Sequence, residues 1–489
     1  MKLVHLIAGA LVPLLLPACA LQTPPASVAG QTPLQWFTPL PTPQPVAGLP
    51  HNGTLTDLTR WWEQQGDPSL VALIAAAQAV SPTVASARSR VGQARATQVA
   101  AGAALLPALD ASASASRGRL QQSVGPGAAP ISTSSQAGLQ ASWEIDLFGG
   151  RLAGRDAASE RLTGAQAQWH DARVSVAAEV ANQYHSLRTC RQLETVTAAD
   201  AASRSETARL SGLSTGAGFT APATDALARA SAAEASSRAT QQRAQCEMDT
   251  KALVALTGLA EPDIRQKMAQ APSPPAQAAM IYIASLPADT LAQRPDVFSA
   301  EREVAAASAE IGTAQAERYP RLSLSGAIGQ SRVLAGGLTS TLDTWSIGPL
   351  ALTLPLFDGG RRAANVDAAV ARYEEAAALY RARVRQAVRE VEEALVKLQS
   401  TAARGEDARL AAEGYRASFN GTEARYKSGL GSLFELEDAR RTLLAAETGL
   451  LTLQRERALA WVALYRAAGG GWTAAHGGPA PASASVARP

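Results

Sequence analysis

The side chains able to do chemistry are few and badly spaced for catalysis. The five histidines are His5, His51, His170, His185 and His476. None sits in a His-Glu-x-x-His helix or beside a Gly-x-Ser-x-Gly elbow, so the spacing encodes neither a zinc nor a serine hydrolase. Phe148-Gly149-Gly150-Arg151 and Phe357-Asp358-Gly359-Gly360-Arg361 are glycine-rich. A phosphate cradle needs a longer loop ending in Lys-Ser/Thr, whereas paired glycines relieve steric limits at a sharp corner. No catalytic residue, metal site or enzymatic activity is expected. Cys190 lies 28 residues before Gly218 and Cys246 lies 28 after it. A helical hairpin turning there brings both thiols to one height, and a disulfide or two independent buried thiols both fit. Glu435 and Asp438, spaced i, i+3, place two carboxylates on one side of a helix.

Composition narrows the frame that holds these groups. The chain has 489 residues, 45 Lys plus Arg against 42 Asp plus Glu, a net charge of +3 and three cysteines. That is too neutral to coat nucleic acid and too cysteine-poor for a disulfide scaffold. Charged residues make up 18%, below the usual quarter, which with many alanines points to extensive helix–helix contact. Lys2, the apolar run Leu3–Leu16 and Leu16-Pro17-Ala18-Cys19 read as a signal peptide over 1–18. Cys19 after a small residue resembles the bacterial lipobox, whose thiol takes a diacylglycerol and whose new N-terminus is acylated. These acyl chains are the only non-protein groups expected, and ordinary signal cleavage beside a cysteine is the alternative. Ala20 in place of an aspartate fits sorting to the outer membrane, and acyl chains contribute ~0.8 kcal/mol per buried CH2. Residues 19–50, rich in Pro and Thr, read as an extended tether. Beyond the signal, no run of about 18 apolar residues encodes a spanning helix, which leaves a membrane barrel open.

The rest of the chain is a duplication. Pro82 and Pro107 recur at Pro295 and Pro320, a distance of 213 residues. The same offset relates Gly216 and Gly218 to Gly429 and Gly431, and Asp225 to Asp438. The first repeat spans 51–260, a connection 261–290, the second repeat 291–470 and a flexible tail 471–489. Each repeat reads as a proline-led helix, two strands, and a long helix with its return. Alternation places the strands at 108–118, 136–148, 320–331 and 344–357. The proline-free helices from Arg151 and Arg361 would be roughly 90 and 100 Å long, beyond any globular core. Alternation also describes a half-buried soluble sheet, but export and lipidation favour the membrane. A spanning sheet leaves no edge in lipid, and four strands cannot close, so the barrel must be shared: two copies give eight strands and three give twelve.

Specific blocks resemble a known family. Arg60-Trp61-Trp62-Glu63-Gln64-Gln65-Gly66-Asp67-Pro68, Leu291-Ala292-Gln293-Arg294-Pro295-Asp296-Val297, and Leu354-Pro355-Leu356-Phe357-Asp358-Gly359-Gly360-Arg361 are similar to TolC-type outer-membrane factors. More narrowly, they resemble the NodT-like branch of RND efflux outer-membrane lipoproteins. The resemblance, over residues 50–470, implies a membrane α+β fold. Three chains would form a 12-stranded transmembrane β-barrel, four strands per chain, continuous with a long periplasmic α-helical barrel. It implies a passive duct in the cell outer membrane that meets a periplasmic adaptor (membrane fusion) protein and an inner-membrane RND-type pump, with no nucleic acid partner. A duct for type I protein secretion shares that fold and is the alternative; an adhesive envelope protein without a gate is a further one. The resemblance places Asp438 and Phe434 at the carboxylate and apolar constrictions. It places Arg425 and Tyr426 on the latch side and Glu435 at a further acidic position. Three copies would make an acidic ring favouring cations; the plainer reading is a solvated helix start whose acids complement the dipole.

Overall fold

The computed structural model describes residues 21–30, 32–38, 61–64, 66–119, 131–271, 291–335 and 337–472. The signal segment, Cys19, part of the tether, positions 272–290 and the tail beyond Trp472 lie outside the described residues. The elements are α1 (Trp61–Gln64), α2 (Pro68–Val80), α3 (Pro82–Ala103), β1 (Ala108–Arg119), β2 (Ile131–Ile145), α4 (Gly150–Gly216), α5 (Pro222–Thr257) and α6 (Glu261–Gln270). They continue with α7 (Pro295–Ala316), β3 (Arg321–Ala335), β4 (Leu338–Thr353), α8 (Arg361–Lys427) and α9 (Leu433–Ala467). The duplication is plain in their lengths: α3 and α7 each have 22 residues, and α4 and α8 each have 67. No single described helix is long and apolar enough to cross a membrane.

The sequence repeats are not the structural units. One compact unit takes 21–29, Arg90–Ala165 and Ser299–Arg381, and the other takes Gly30–Ser89, Gln166–Phe298 and 382–472. Each thus draws on both repeats; in the first, β2 pairs antiparallel with β3 and fuses the two halves into one sheet of order β1-β2-β3-β4.

In the first unit the pairing register builds rows across the sheet. Ala111, Leu139, Ile328 and Trp345 form one row, and Leu109, Ala141, Gly326 and Ile347 another. Trp345 and Ile347 are 76% and 84% exposed, so an apolar face is uncovered in the single chain. The opposite face carries rows such as Ser112, Gly138, Gly329 and Thr344. A Cβ on Gly138 would lie 2.9 Å from the Ile328 carbonyl oxygen, and one on Gly329 2.9 Å from that of Ala137, so both positions exclude a side chain. Three strands differ from expectation, and β3 runs on to Ala335 rather than ending at 331. β2 starts at Ile131 and β4 at Leu338, and β4 stops at Thr353 before Pro355, which has no N–H to give the ladder.

The corners after β2 and β4 turn on Gly149 (φ +75°), Gly359 (φ +64°) and Gly360 (φ +91°). Asp146 accepts from the Leu152 amide (2.8 Å), and Asp358 from those of Gly360 and Arg362 (both 3.1 Å), capping the long helices. The described part of the tether is docked rather than free. The Gln22 amide donates to Gln315 (2.8 Å), Ser308 to the Pro24 carbonyl (2.6 Å) and Tyr373 to the Pro25 carbonyl (3.0 Å).

The second unit has its core around Trp61, Trp62, Leu73, Tyr184, Leu253, Ile264, Leu395, Trp461 and Tyr465. Trp61 stacks on Tyr465 with ring centroids 4.9 Å apart. Phe37 and Thr38 amides donate to Glu392 (2.7 and 3.0 Å). Arg294, buried, bonds Asp296 (2.8 Å), Glu390 (2.7 Å) and the Ala467 carbonyl at the end of α9 (3.0 Å). That is the physical content of the Arg-Pro-Asp-Val block: one guanidinium, held by two carboxylates, closes the C-terminus of α9 beside the start of α7. Cys190 on α4 and Cys246 on α5 are joined by a disulfide with Cα atoms 5.5 Å apart, so the reading of two independent thiols does not hold.

Candidate gate at the second hairpin

The α8–α9 turn is closed by backbone bonds. The Ser428 amide donates to Ala424 (3.1 Å), Gly429 to Tyr426 (3.0 Å) and Leu430 to Arg425 (2.8 Å), with Gly429 at φ +78°. Ser432 then starts α9 with a reciprocal cap: its hydroxyl accepts from the Glu435 amide (3.1 Å), and the Glu435 carboxylate accepts from the Ser432 amide (3.2 Å). Arg425 donates to the Leu430 carbonyl (3.3 Å) and stands 3.9 Å from Glu435. Asp438 pairs with Arg441, one turn on. Phe434 is 75% exposed. Tyr426, half-buried, packs with Phe419 and Ala208 against Ala228, Leu433 and Leu436.

These contacts sort the sequence-derived residues by face. Phe434, Glu435 and Asp438 stand on the open side of α9, while Leu433, Leu436 and Arg440 face inward. Within the chain Arg425 meets Glu435, and Asp438 is engaged by Arg441 rather than by the latch side. Glu435 serves the helix cap while keeping half its side chain exposed. Among the described residues, no group of three or more His, Cys, Asp or Glu side chains is placed to hold a metal.

The first hairpin corrects the repeat register. Ala217, Gly218 and Phe219 donate to Leu213, Thr215 and Ser214, the same three bonds that Ser428, Gly429 and Leu430 make. The positive-φ glycines are Gly218 and Gly429, so the hairpins superpose at an offset of 429 − 218 = 211, not 213. Asp225 therefore matches Leu436, not Asp438, and it is buried with its carboxylate 3.0 Å from Arg229. The position matching Asp438 is Leu227. A two-residue slip against the identity-based offset exchanges an inward for an outward helix position, and the first hairpin offers no acid at the position matching Asp438.

The chain matches the family described as outer membrane efflux proteins over residues 73–259 and 286–470. The chain belongs to the outer membrane efflux protein family. This efflux protein is 31% identical over 464 residues to the solvent efflux pump outer membrane protein SrpC of Pseudomonas putida, covering 94% of this chain and 97% of that one. It is 28% identical over 475 residues to nodulation protein T of Rhizobium leguminosarum bv. viciae, covering 96% and 94%. Its fold matches the crystal structure of the Campylobacter jejuni CmeC outer membrane channel with a TM-score of 0.84 at 24% identity, covering 94% and 96%. The efflux protein is thus an outer-membrane channel protein with the TolC-like fold, mostly helical with a four-stranded sheet in each chain.

Sequence reasoning missed one part of this efflux protein's hairpin. Glu437, between the acids singled out, points inward and meets two arginines. Arg204 of α4 donates to its Oε2, and Arg440 donates to its Oε1 (2.9 Å). Both guanidinium side chains are under a tenth exposed. The available signal was the position of Glu437 and Arg440, charged residues on the same helix face as Leu433 and Leu436, where apolar side chains are the norm.

Proposed function

We propose that this efflux protein works as a homotrimer whose three sheets close a 12-stranded barrel (3 × 4), continuous with a periplasmic helical barrel. It would form the passive exit duct of a tripartite efflux system. The observation that carries this reading is the sheet itself: four strands, one exposed apolar face, and β1 and β4 left as open edges. An edge in hydrocarbon leaves backbone groups unsatisfied at several kcal/mol each, so the edges must meet other copies. The apolar rows run along positions 137–145 of β2, close to the ~9–11 residues a tilted strand needs to cross a bilayer. An eight-stranded barrel is filled by side chains, and the Ser, Gly and Thr rows of the opposite face suit a wider, wetter lumen.

Cys19, acylated, anchors the N-terminus in outer-membrane lipid, and the docked tether leads from it along the body. A periplasmic adaptor and an inner-membrane RND-type pump complete the path, and the duct itself needs no cofactor. The exposed face of α9 forms the constriction: Phe434 its apolar ring, Asp438 and Glu435 its acidic ring, with Arg425 and Tyr426 on the latch side. Carboxylate rings favour cations. Cross-linking followed by planar-bilayer recording of the purified lipidated protein tests this. Trimers with small, cation-selective openings that grow in the Asp438→Ala, Arg425→Ala double variant are expected. A species other than a trimer, or trimers silent in both wild type and double variant, would overturn it.

A further inference from the structure

Behind the open face of α9 lies a buried charge cluster. Arg204 is held by Asp200 through both carboxylate oxygens (2.9 and 3.0 Å) and by Ser231 of α5 (2.6 Å), besides Glu437. Ser231 also donates to Glu437 (2.6 Å). Arg440 reaches the Ser203 hydroxyl (2.8 Å), the Thr207 hydroxyl (2.8 Å) and the Ser203 carbonyl (3.3 Å), and lies over the Phe419 ring of α8 at 5.9 Å. Arg238 of α5, more exposed and paired with Glu234, also reaches Asp200 (3.5 Å), so three cations meet three anions, and Glu437 touches both buried guanidiniums. It joins α9 to both α4 and α5, while Arg440 adds direct bonds to α4 alone.

A buried ion cluster is poor evidence for stability, because apolar side chains of the same volume often do as well. What it does provide is direction. Charge-assisted bonds fix the rotation and height of a helix more narrowly than packing of Leu and Ala. We propose that Glu437 is the positioning residue of the gate: it seats α9 on α4 and α5 and so sets where Phe434, Glu435 and Asp438 point. This rests on the reading of the second hairpin as the gate. Removing the carboxylate leaves buried Arg440 without its carboxylate partner and Arg204 sharing Asp200 with Arg238, and the first turns of α9 lift away.

The test uses the full lipidated protein. Glu437→Gln keeps the volume and removes the charge; resting single-channel conductance is expected to rise, and amide exchange over 433–438 to quicken about tenfold. Glu390→Gln, which removes a partner of buried Arg294 in the same unit, is expected to leave conductance unchanged, separating positioning from general loosening. The quadruple variant Asp200→Leu, Arg204→Met, Glu437→Leu, Arg440→Met, which replaces the buried cluster by packing and leaves Arg238 to Glu234, should return exchange toward wild type; it also serves if Glu437→Gln does not fold. Conducting wild-type trimers whose conductance and exchange are unaltered by Glu437→Gln would overturn the proposal. Silent trimers throughout would instead count against the duct, and exchange over 433–438 would then decide the role of Glu437.

Discussion

The two hairpins turn with the same three backbone bonds and then diverge in what holds them. At the first, Cys190 and Cys246 bind α4 to α5 covalently, Pro222 starts the return helix, and Ala221 caps it with no side-chain bond. At the second, Ser432 and Glu435 form a reciprocal cap, and Glu437 seats α9 on its neighbours through hydrogen bonds and charge. Duplication kept the backbone and left the side chains free to specialise. One hairpin is fixed by a bond that persists in an oxidising compartment, the other by links that can be broken and remade, as the proposed gate requires.

The largest expected effect is on the fixed hairpin. Cys190 and Cys246 are 56 residues apart, and opening a loop of that length costs about 4 kcal/mol on the chain-entropy account. Cys190→Ala with Cys246→Ala should lower the melting temperature of helical circular dichroism, and reductant should do the same to wild type alone. Resting conductance should stay put, since the second hairpin is untouched. A conductance rise matching that of the Asp438→Ala, Arg425→Ala variant would erase the distinction between the hairpins.

Acid should loosen the same side of the comparison. His185, on α4 five residues before Cys190, is held down to about 4 by burial and then by the Arg188 charge, against 6.5 for a free imidazole. The unfolded chain takes the proton first. Stability is therefore fully present above pH 6.5 and is lost as pH falls toward 4, on the order of 2 kcal/mol after allowing for partial exposure. Thermal melts at pH 7.5 and 4.5 should show a smaller acid penalty in His185→Gln than in wild type. Equal penalties would place the acid sensitivity elsewhere.

Much of this was readable from residues. Alternation located all four strands where one face of the sheet carries apolar rows and the other Ser, Gly and Thr rows, and it failed beyond that band. Ile131-Ser-Thr-Ser-Ser135 and Leu338-Thr-Ser-Thr-Leu342 pair in the ladder without alternating, so periodicity carries no signal there. The spacing of Cys190 and Cys246 gave their common height but not the facing of their side chains, which depends on helix rotation. The repeat offset was right at the start of α3 and α7 and two residues wrong at the hairpins, because shared Gly and Asp identities align sequences while hydrogen bonds align structures. The same limit hid Glu437: a charge beside two others looks solvated until neighbouring helices cover it.

The smallest effects concern the caps, and they cut the comparison most finely. Ser432→Ala removes a side-chain acceptor from the α9 terminus and should cost about 1 kcal/mol, read as faster amide exchange over 433–436. At the first hairpin the backbone of Ala221 already has the extended conformation of a cap (φ −66°, ψ 141°) with nothing in its side chain to accept a bond. Ala221→Ser should therefore slow exchange at the start of α5, a gain of up to about 1 kcal/mol. It should leave conductance alone, because none of the proposed gate residues lies on α5. If capping the first hairpin instead lowered conductance, α5 would be moving too, and the disulfide would define the root of a second mobile arm rather than a fixed one.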